Sequence, residues 1–245
     1  MNQRTGDEWK EARFQCITGT DVAKIMGCDD ACSRRKLMYQ KINKLDPLDS
    51  APEFTKYIVG LGNTFEHAAL AHFRRVASEI GIGKVGYIPG MSPHPIYNWF
   101  TGTPDYILEA PDGTKCVVEV KTHWYPSVDE ARPMEFMFMK HWLQVQSYLE
   151  ILNLDVGYLW SWTMSNGYAL FRIDRAKIFW NDVVWPQVFL FRHVFERQQS
   201  FLMFRNEILN KLTFRSHEKQ RMEQVVFDEM NRTTQIIEMK NEQVF

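Results

Sequence analysis

The chain has 245 residues, of which 45% are hydrophobic and 24% charged, and these proportions exclude a largely disordered chain. A chain of this length can bury a large core, so we expect one domain over residues 1–245. With 29 basic and 30 acidic residues the net charge is −1, which neither requires nor excludes a nucleic-acid partner. The sequence shows no membrane-spanning run and no signal-peptide pattern, so we expect an intracellular protein without membrane association that is not secreted.

The first third of the sequence predicts helices. Thr20 is expected to cap a short helix over Asp21–Met26, and a second helix is predicted over Arg34–Asn43. A longer helix is predicted from about Asn63 to Ser78, because apolar residues there recur at spacings of three and four.

The middle of the sequence predicts strands, with one helix between them. Its β-rich segments, which are bounded by turn residues, are Lys84–Pro89, Trp99–Leu108, Lys115–His123, Val156–Met164 and Tyr168–Ile173. The last two predict a hairpin, and a helix is expected from Pro133 to about Leu152.

From Arg175 onward the sequence is expected to be mostly helical, with a kink at Pro186. This order of elements predicts an α/β fold in which a mixed β-sheet is flanked by helices. The core would span about 9–175, followed by a helical C-terminal extension over about 175–245.

Two neighbouring strands carry the candidate catalytic residues. Asp105 ends the segment Thr-Gly-Thr-Pro-Asp, and Glu119 and Lys121 lie in the apolar run Val-Val-Glu-Val-Lys. Side chains alternate along a strand, so Glu119 and Lys121 face the same way, and the intervening turn brings Asp105 beside Glu119. Paired carboxylates are costly to bury unless a cation lies between them. With the Val120 carbonyl as a third oxygen ligand, they predict a Mg²⁺ site that Mn²⁺ can also occupy.

Two further side chains point toward the same chemistry. Glu66 borders the apolar stripe of the predicted long helix, where an unpaired carboxylate is costly, so it is a candidate ligand or outer partner of the metal. Gln144 shares a helix face with Met137 and Tyr148, from which it can reach an active-site water or the catalytic lysine. For Gln146 we expect an ordinary surface position.

These residues belong to a set of short motifs in a fixed order. The motifs are Ile17-Thr-Gly-Thr20, Gly62-x3-Glu66, Thr101-Gly-Thr-Pro-Asp105, Glu119-Val-Lys121 and Leu143-Gln-Val-Gln146. Over roughly residues 9–160 the set resembles the YqaJ-like viral recombinase family, the lambda-exonuclease branch of the PD-(D/E)XK nucleases. The resemblance implies a PD-(D/E)XK core with Glu66, Asp105, Glu119, Lys121 and Gln144 at its catalytic centre.

The resemblance also implies a function. Members of this family are Mg²⁺-dependent deoxyribonucleases that resect one strand of duplex DNA from its 5′ end during viral or phage recombination. They typically act beside a single-strand annealing protein, and often as a trimeric ring. By the same resemblance, Arg13 and Thr20 lie at the spacing by which the family presents an arginine and a hydroxyl to a terminal phosphate.

The sequence leaves other functions open. The same core serves structure-specific or sequence-specific endonucleases, and nucleases of related fold also cleave RNA. A non-catalytic DNA-binding or assembly protein is the alternative of another class, although intact acidic residues argue against it. We therefore expect a metal-dependent exonuclease acting on linear double-stranded DNA.

Overall fold

The computed structural model describes residues 7–29, 32–125, 127, 129–200 and 214–240. Within these ranges the helices are α1 (Asp7–Gln15), α2 (Gly19–Ile25), α3 (Arg34–Ile42), α4 (Glu53–Glu79), α5 (Met139–Leu152), α6 (Lys177–Phe179), α7 (Trp185–Ser200) and α8 (Ser216–Thr233). The strands are β1 (Ile17–Thr18), β2 (Val85–Tyr87), β3 (Ser92–Pro93), β4 (Phe100–Gly102), β5 (Tyr106–Glu109), β6 (Lys115–Thr122), β7 (Val156–Trp162), β8 (Tyr168–Asp174) and β9 (Thr234–Lys240). A π-helical turn over Trp180–Val184 joins α6 to α7.

The strands form two sheets. The larger sheet has six strands in the order β2-β5-β6-β7-β8-β9, and the smaller has the order β1-β4-β3. In the larger sheet β6 and β7 are parallel and the other neighbours are antiparallel. The expected α/β fold with a mixed sheet flanked by helices is confirmed.

The larger sheet lies between two helical layers. On one face α4 packs through Ala69 and Phe73 against Val118 and Trp160. On the other face α2, α5 and α7 bury a second apolar cluster that includes Val117. Alternation along β6 therefore turns Val118 and Val120 toward α4, and Glu119 and Lys121 toward α5.

The predicted strand over Trp99–Leu108 is wrong in one respect, because the structure divides it in two. β4 belongs to the smaller sheet and β5 to the larger. The break includes Pro104, which has no N–H to donate to a ladder. Asp105 thus lies immediately before β5, and β5 continues through a tight turn with Gly113 at φ 84° into β6.

The predicted helix boundaries also need correction. α4 begins at Glu53, ten residues before the predicted start at Asn63, because Gly60 and Gly62 weaken the helical pattern without ending the helix. α5 begins at Met139 and not at Pro133. The segment before it runs along β7, where the Met134 N–H donates to the Ser161 hydroxyl.

Most of the described residues after 175 are helical, as predicted, but the predicted helical extension also contains β9, which pairs antiparallel with β8. The Thr-Gln-Ile-Ile run of β9 is rich in β-branched residues, which favour strands. Pro186 lies in the first turn of α7, directly after the π-helical turn, where the helical hydrogen-bond pattern changes register. Residues 201–213 of the predicted extension lie outside the described residues. Within the described part of the chain, no helix combines the length and apolar character needed to cross a membrane.

Candidate active site

Asp105 and Glu119 are brought together by the β5–β6 pairing. Tyr106 is paired with Val118, so the residue before β5 lies beside the end of β6. The Val120 N–H donates to Asp105 Oδ2 at 2.7 Å, and both carboxylates are buried, with Asp105 6% and Glu119 3% exposed. The N–H and C=O of one strand residue point to the same side of the strand, so the Val120 carbonyl also points toward Asp105.

Lys121 lies on the same face of β6 as Glu119, as predicted. Its Nζ donates to Glu119 Oε1 at 2.6 Å. Burial alone would lower the pKa of the Lys121 ammonium, but the negative charges of Glu119, Asp105 and Glu66 outweigh it and raise that pKa. Lys121 is therefore a cation at neutral pH in the metal-free protein.

Gln144 reaches into the site from α5, which confirms its predicted inward orientation. Its Nε2 donates to Glu119 Oε1 at 2.6 Å and to the Tyr148 hydroxyl at 2.8 Å. The surface position predicted for Gln146 is wrong. That side chain is 1% exposed; it donates to the carbonyl of Asp174, the last residue of β8, and accepts from the N–H of Ala176.

Glu66 approaches from α4, on the opposite side of the sheet from Gln144. Its side chain is half-buried, and its charge acts on the Lys121 ammonium more weakly than those of Glu119 and Asp105. No three His, Cys, Asp or Glu side chains of the described ranges form a ready-made metal cluster. Direct ligation by Glu66 therefore stays a prediction.

The donor chemistry of the site nevertheless fits a hard divalent cation. Asp105 and Glu119 are buried carboxylates on adjacent strands, and the Val120 carbonyl points to the same side. Three carboxylates act on one ammonium group, so the charge of the site is negative without a metal. Oxygen donors with excess negative charge are the ligands that Mg²⁺ and Mn²⁺ prefer.

Arg13 and Thr20 lie at the junction of α1 and α2. Arg13 is in the last turn of α1, where its guanidinium lies 4.5 Å from the centroid of the Trp9 ring. The prediction that Thr20 caps a helix over 21–26 is wrong, since α2 begins at Gly19 and its N-cap is Thr18. The Thr20 hydroxyl instead lies 2.9 Å from that of Thr18.

Sequence reasoning missed the buried ion pair that holds this junction. Lys41 of α3 lies 2.8 Å from Asp21 Oδ2, and its ammonium also donates to the carbonyls of Arg13 and Cys16. Asp21 Oδ2 in turn accepts the N–H and the hydroxyl of Thr18. The end of α1 and the start of α2 are thereby tied to α3.

The motifs also did not identify Tyr148, although it shares the predicted helix face with Gln144. A Cβ placed on Gly19 or on Gly102 would come within 2.7 Å of the Tyr148 ring. Only glycine allows the start of α2 and the end of β4 to approach this ring so closely. Tyr148 therefore connects Gln144 to the α1–α2 junction.

Comparisons with known proteins identify a family and a shared fold. A family model described as the YqaJ-like viral recombinase domain matches residues 8–155. An alkaline exonuclease (LHK-Exo) from Laribacter hongkongensis is similar in structure, with a TM-score of 0.59 and 19% identity, over 80% of this chain and 96% of that chain. Its complex with dAMP gives a TM-score of 0.59 and 20% identity over the same shares of the two chains. These likenesses show a shared fold. No protein of curated function matches the sequence.

Proposed function

Because the chain belongs to the YqaJ-like viral recombinase family, we propose that it is a metal-dependent exonuclease that hydrolyses phosphodiester bonds of linear double-stranded DNA. The observation that carries the proposal is the buried cluster in which Glu119 Oε1 accepts from both Lys121 and Gln144, with Asp105 held beside it. The fold is shared with an alkaline exonuclease whose structure is known with bound dAMP, which supports DNA as the substrate.

The proposed metal ligands are Asp105, Glu119 and the Val120 carbonyl, with Glu66 as a further ligand or outer partner. When bound, Mg²⁺ or Mn²⁺ would activate a water molecule and neutralise charge on the phosphate. Asp105 is already oriented for this role, since the Val120 N–H fixes one of its oxygens. The backbone therefore holds the ligand before the cation arrives, which reduces the entropy lost on binding.

Lys121 and Gln144 are proposed to act on the scissile phosphate and on the attacking water. Lys121 donates to Glu119, and from there it would orient or deprotonate the attacking water, or neutralise charge on the phosphate. Gln144 keeps one donor on Glu119 and another on Tyr148. This holds the carboxylate oxygens in a fixed direction, as positioned catalytic groups require.

End recognition is proposed to lie at the α1–α2 junction. Arg13 and Thr20 would hold a terminal 5′-phosphate, whose monoester carries more charge than an internal diester and gains charge-assisted hydrogen bonds from a guanidinium. Strand resection would then run from 5′ to 3′. Recombination beside a single-strand annealing protein, and assembly into a trimeric ring, complete the proposal by family resemblance.

The test compares linear and circular duplex DNA. End-labelled linear duplex and closed circular duplex are incubated with the protein in Mg²⁺, in Mn²⁺ and in excess chelator. We expect progressive loss of the linear duplex with either metal, intact circles, and no cleavage in chelator. Glu109→Gln is the matched control, because Glu109 is an exposed acid at the far end of β5 from the site.

Each contrary result points to one of the alternatives. Discrete fragments from an intact circle indicate an endonuclease, and preferential loss of an RNA substrate indicates a ribonuclease. Duplex that is bound but never cut with any divalent metal indicates a DNA-binding or assembly protein. Cleavage that survives excess chelator removes the metal from the proposal.

A further inference from the structure

The Tyr148 hydroxyl is one end of a short chain of hydrogen bonds that reaches the buried carboxylate of Glu119. Gln144 Nε2 donates to the Tyr148 hydroxyl at 2.8 Å and to Glu119 Oε1 at 2.6 Å. An amide nitrogen carries two hydrogens, so each acceptor takes one of them. The direction of the Gln144 amide, and with it the hold on Glu119, is therefore set in part by where the Tyr148 hydroxyl lies.

The Tyr148 ring is in turn enclosed by the backbone of two glycines. A Cβ on Gly19 would lie 2.7 Å from Cε1 of the ring, and a Cβ on Gly102 would lie 2.7 Å from Cδ1. Neither glycine has a positive φ, so the backbone itself would accept alanine, and the close contact with the ring is what favours glycine at both positions. The ring is buried, with the residue 3% exposed, so it cannot move into solvent to relieve such a contact.

The two glycines belong to parts of the chain that carry proposed functions. Gly19 is the first residue of α2 and precedes Thr20, which is proposed to bind the DNA end. Gly102 ends β4 and lies three residues before Asp105. Ser147 adds a second link, because its hydroxyl lies 3.4 Å from the Gly19 carbonyl. A displacement of the α1–α2 junction is therefore applied directly to the ring of Tyr148.

We propose that Tyr148 is a positioning residue that couples the α1–α2 junction to the carboxylate site, by holding the Gln144 amide on Glu119. The inference rests on the proposed nuclease function and deepens it, since one side chain would link the site that holds a DNA end to the site that holds the metal. Close-packed interiors transmit a displacement rather than absorb it. Groups that orient a metal ligand contribute tenfold or more to metal affinity or activity.

The first measurement is Mn²⁺ binding by calorimetry in the absence of DNA. Tyr148→Phe keeps the ring and removes only the hydroxyl, and we expect it to weaken Mn²⁺ binding about tenfold. On linear duplex kcat should fall by a similar factor while KM for DNA stays the same, because the hydroxyl acts on Glu119 and not on the substrate. Tyr158→Phe is the matched control, since Tyr158 is a buried tyrosine that faces α4 on the other side of the sheet.

A double-mutant cycle tests whether the hydroxyl acts through Gln144. If it does, Tyr148→Phe combined with Gln144→Leu weakens Mn²⁺ binding no more than Gln144→Leu alone, because the amide that the hydroxyl positions is already absent. Effects of the two substitutions that simply add would overturn the inference.

The second variant acts from the junction. Gly19→Ala places a methyl group against the Tyr148 ring, so we expect it to weaken Mn²⁺ binding although residue 19 lies on α2 and the proposed ligand Glu119 on β6. Combined with Tyr148→Phe it should cost no more than the larger single effect. Gly60→Ala is the control, because a Cβ at Gly60 meets nothing within 4 Å. Urea unfolding midpoints are measured for every variant, and Gly102→Ala, which meets the same ring, replaces Gly19→Ala if the latter does not fold.

The outcomes separate this inference from the nuclease proposal. Unchanged Mn²⁺ affinity in Tyr148→Phe overturns the positioning role, and unchanged affinity in the glycine variant overturns the coupling to the junction. If the variants weaken Mn²⁺ binding as expected but the unchanged protein cuts no DNA with any metal, the nuclease proposal fails and the role of Tyr148 stands. If the unchanged protein binds no Mn²⁺, both are overturned.

Discussion

Asp21 and Glu119, two buried carboxylates of the described residues, each form a close pair with a lysine, and the two pairs differ in what surrounds the lysine. In the Asp21–Lys41 pair both side chains are 6% exposed, and the ammonium also donates to two backbone carbonyls. In the Glu119–Lys121 pair the carboxylate is buried while 24% of the lysine side chain is exposed. The charges of Asp105 and Glu66 also act on Lys121.

The difference separates a structural ion pair from a candidate metal site. We call the Asp21–Lys41 pair the joint. An ammonium group has three donors, and the protein uses all three of Lys41 to connect α1, α2 and α3. Lys121 instead lies near three carboxylates, whose combined negative charge exceeds its own positive charge. Part of its side chain is exposed to solvent. We expect the saturated Asp21–Lys41 pair to contribute to stability, and the pair with excess negative charge to bind a cation.

Removing a carboxylate charge from the site should abolish turnover but not folding. Asp105→Asn or Glu119→Gln is expected to lower the cleavage rate about 10³-fold or more, because one ligand of the proposed metal loses its charge. The midpoint of urea unfolding should stay the same or rise, since fewer like charges remain buried. Rates on linear duplex and unfolding curves are measured side by side, with Glu109→Gln as the control. A large loss of stability would mean that this pair is a joint as well.

Removing the lysine of the joint should have the opposite result. Lys41→Met is expected to cost about 3–5 kcal/mol in the free energy of unfolding, because Asp21 would be left buried without its main partner. Adding Asp21→Asn should recover part of that loss. Lys44→Met serves as control, because the Lys44–Glu11 pair is exposed and solvent screens it. Equal unfolding midpoints for Lys41→Met and Lys44→Met would refute the role of the joint.

The joint should also position end recognition, because it holds the residues next to Arg13 and Thr20. We expect 5′-phosphorylated duplex to be digested faster than 5′-hydroxyl duplex. Arg13→Ala should erase the difference, at a cost of about ten- to a hundredfold in rate for a lost charged contact. Lys10→Ala is the control, since Lys10 is an exposed cation of the same helix. Equal rates on both ends with the unchanged protein would remove Arg13 and Thr20 from the model.

Acid should weaken the joint. The charges of Lys41 and Lys24 outweigh the effect of burial and hold the pKa of the Asp21 carboxyl well below its usual value of 3.8. A carboxyl with a lowered folded-state pKa contributes stability above its unfolded pKa and loses that contribution as pH falls. The free energy of unfolding should therefore decline below about pH 4, and more steeply than in Asp21→Asn. If the free energy of unfolding fell equally steeply with pH in the two proteins, the lowered pKa of Asp21 would be contradicted.

The residues around Glu119 could be predicted to lie together because their arrangement is local. Alternation along β6 places Glu119 with Lys121, and the helical period places Gln144 with Tyr148. Which residues share a face follows from the sequence whenever the strand or helix is predicted correctly. The turn between β5 and β6 predicts in the same way that Asp105 lies beside Glu119, and the predicted family is confirmed by the match over residues 8–155.

The joint could not be predicted because its partners lie far apart in the sequence and look like ordinary surface charges. Lys41 belongs to α3, which begins with three consecutive basic residues, and its burial depends on how α3 packs against α1. The N-cap was misplaced by two residues because Thr18 and Thr20 carry the same hydroxyl, and only the backbone of Thr18, with ψ at 160°, is outside the helix. Sequence alone offers no means of choosing between them.

The parallel pairing of β6 with β7 places much of the candidate site within one continuous stretch of chain. Parallel neighbours need a crossover, and here that crossover contains α5, so Glu119, Lys121 and Gln144 all belong to one continuous β-α-β unit. This unit contributes buried residues to the apolar clusters on both faces of the sheet, so we expect its amides to exchange with solvent among the last. The groups proposed for hydrolysis would then stay assembled when the α1–α2 junction opens locally, and a chain that has lost its ability to select a DNA end would still hold those groups in place.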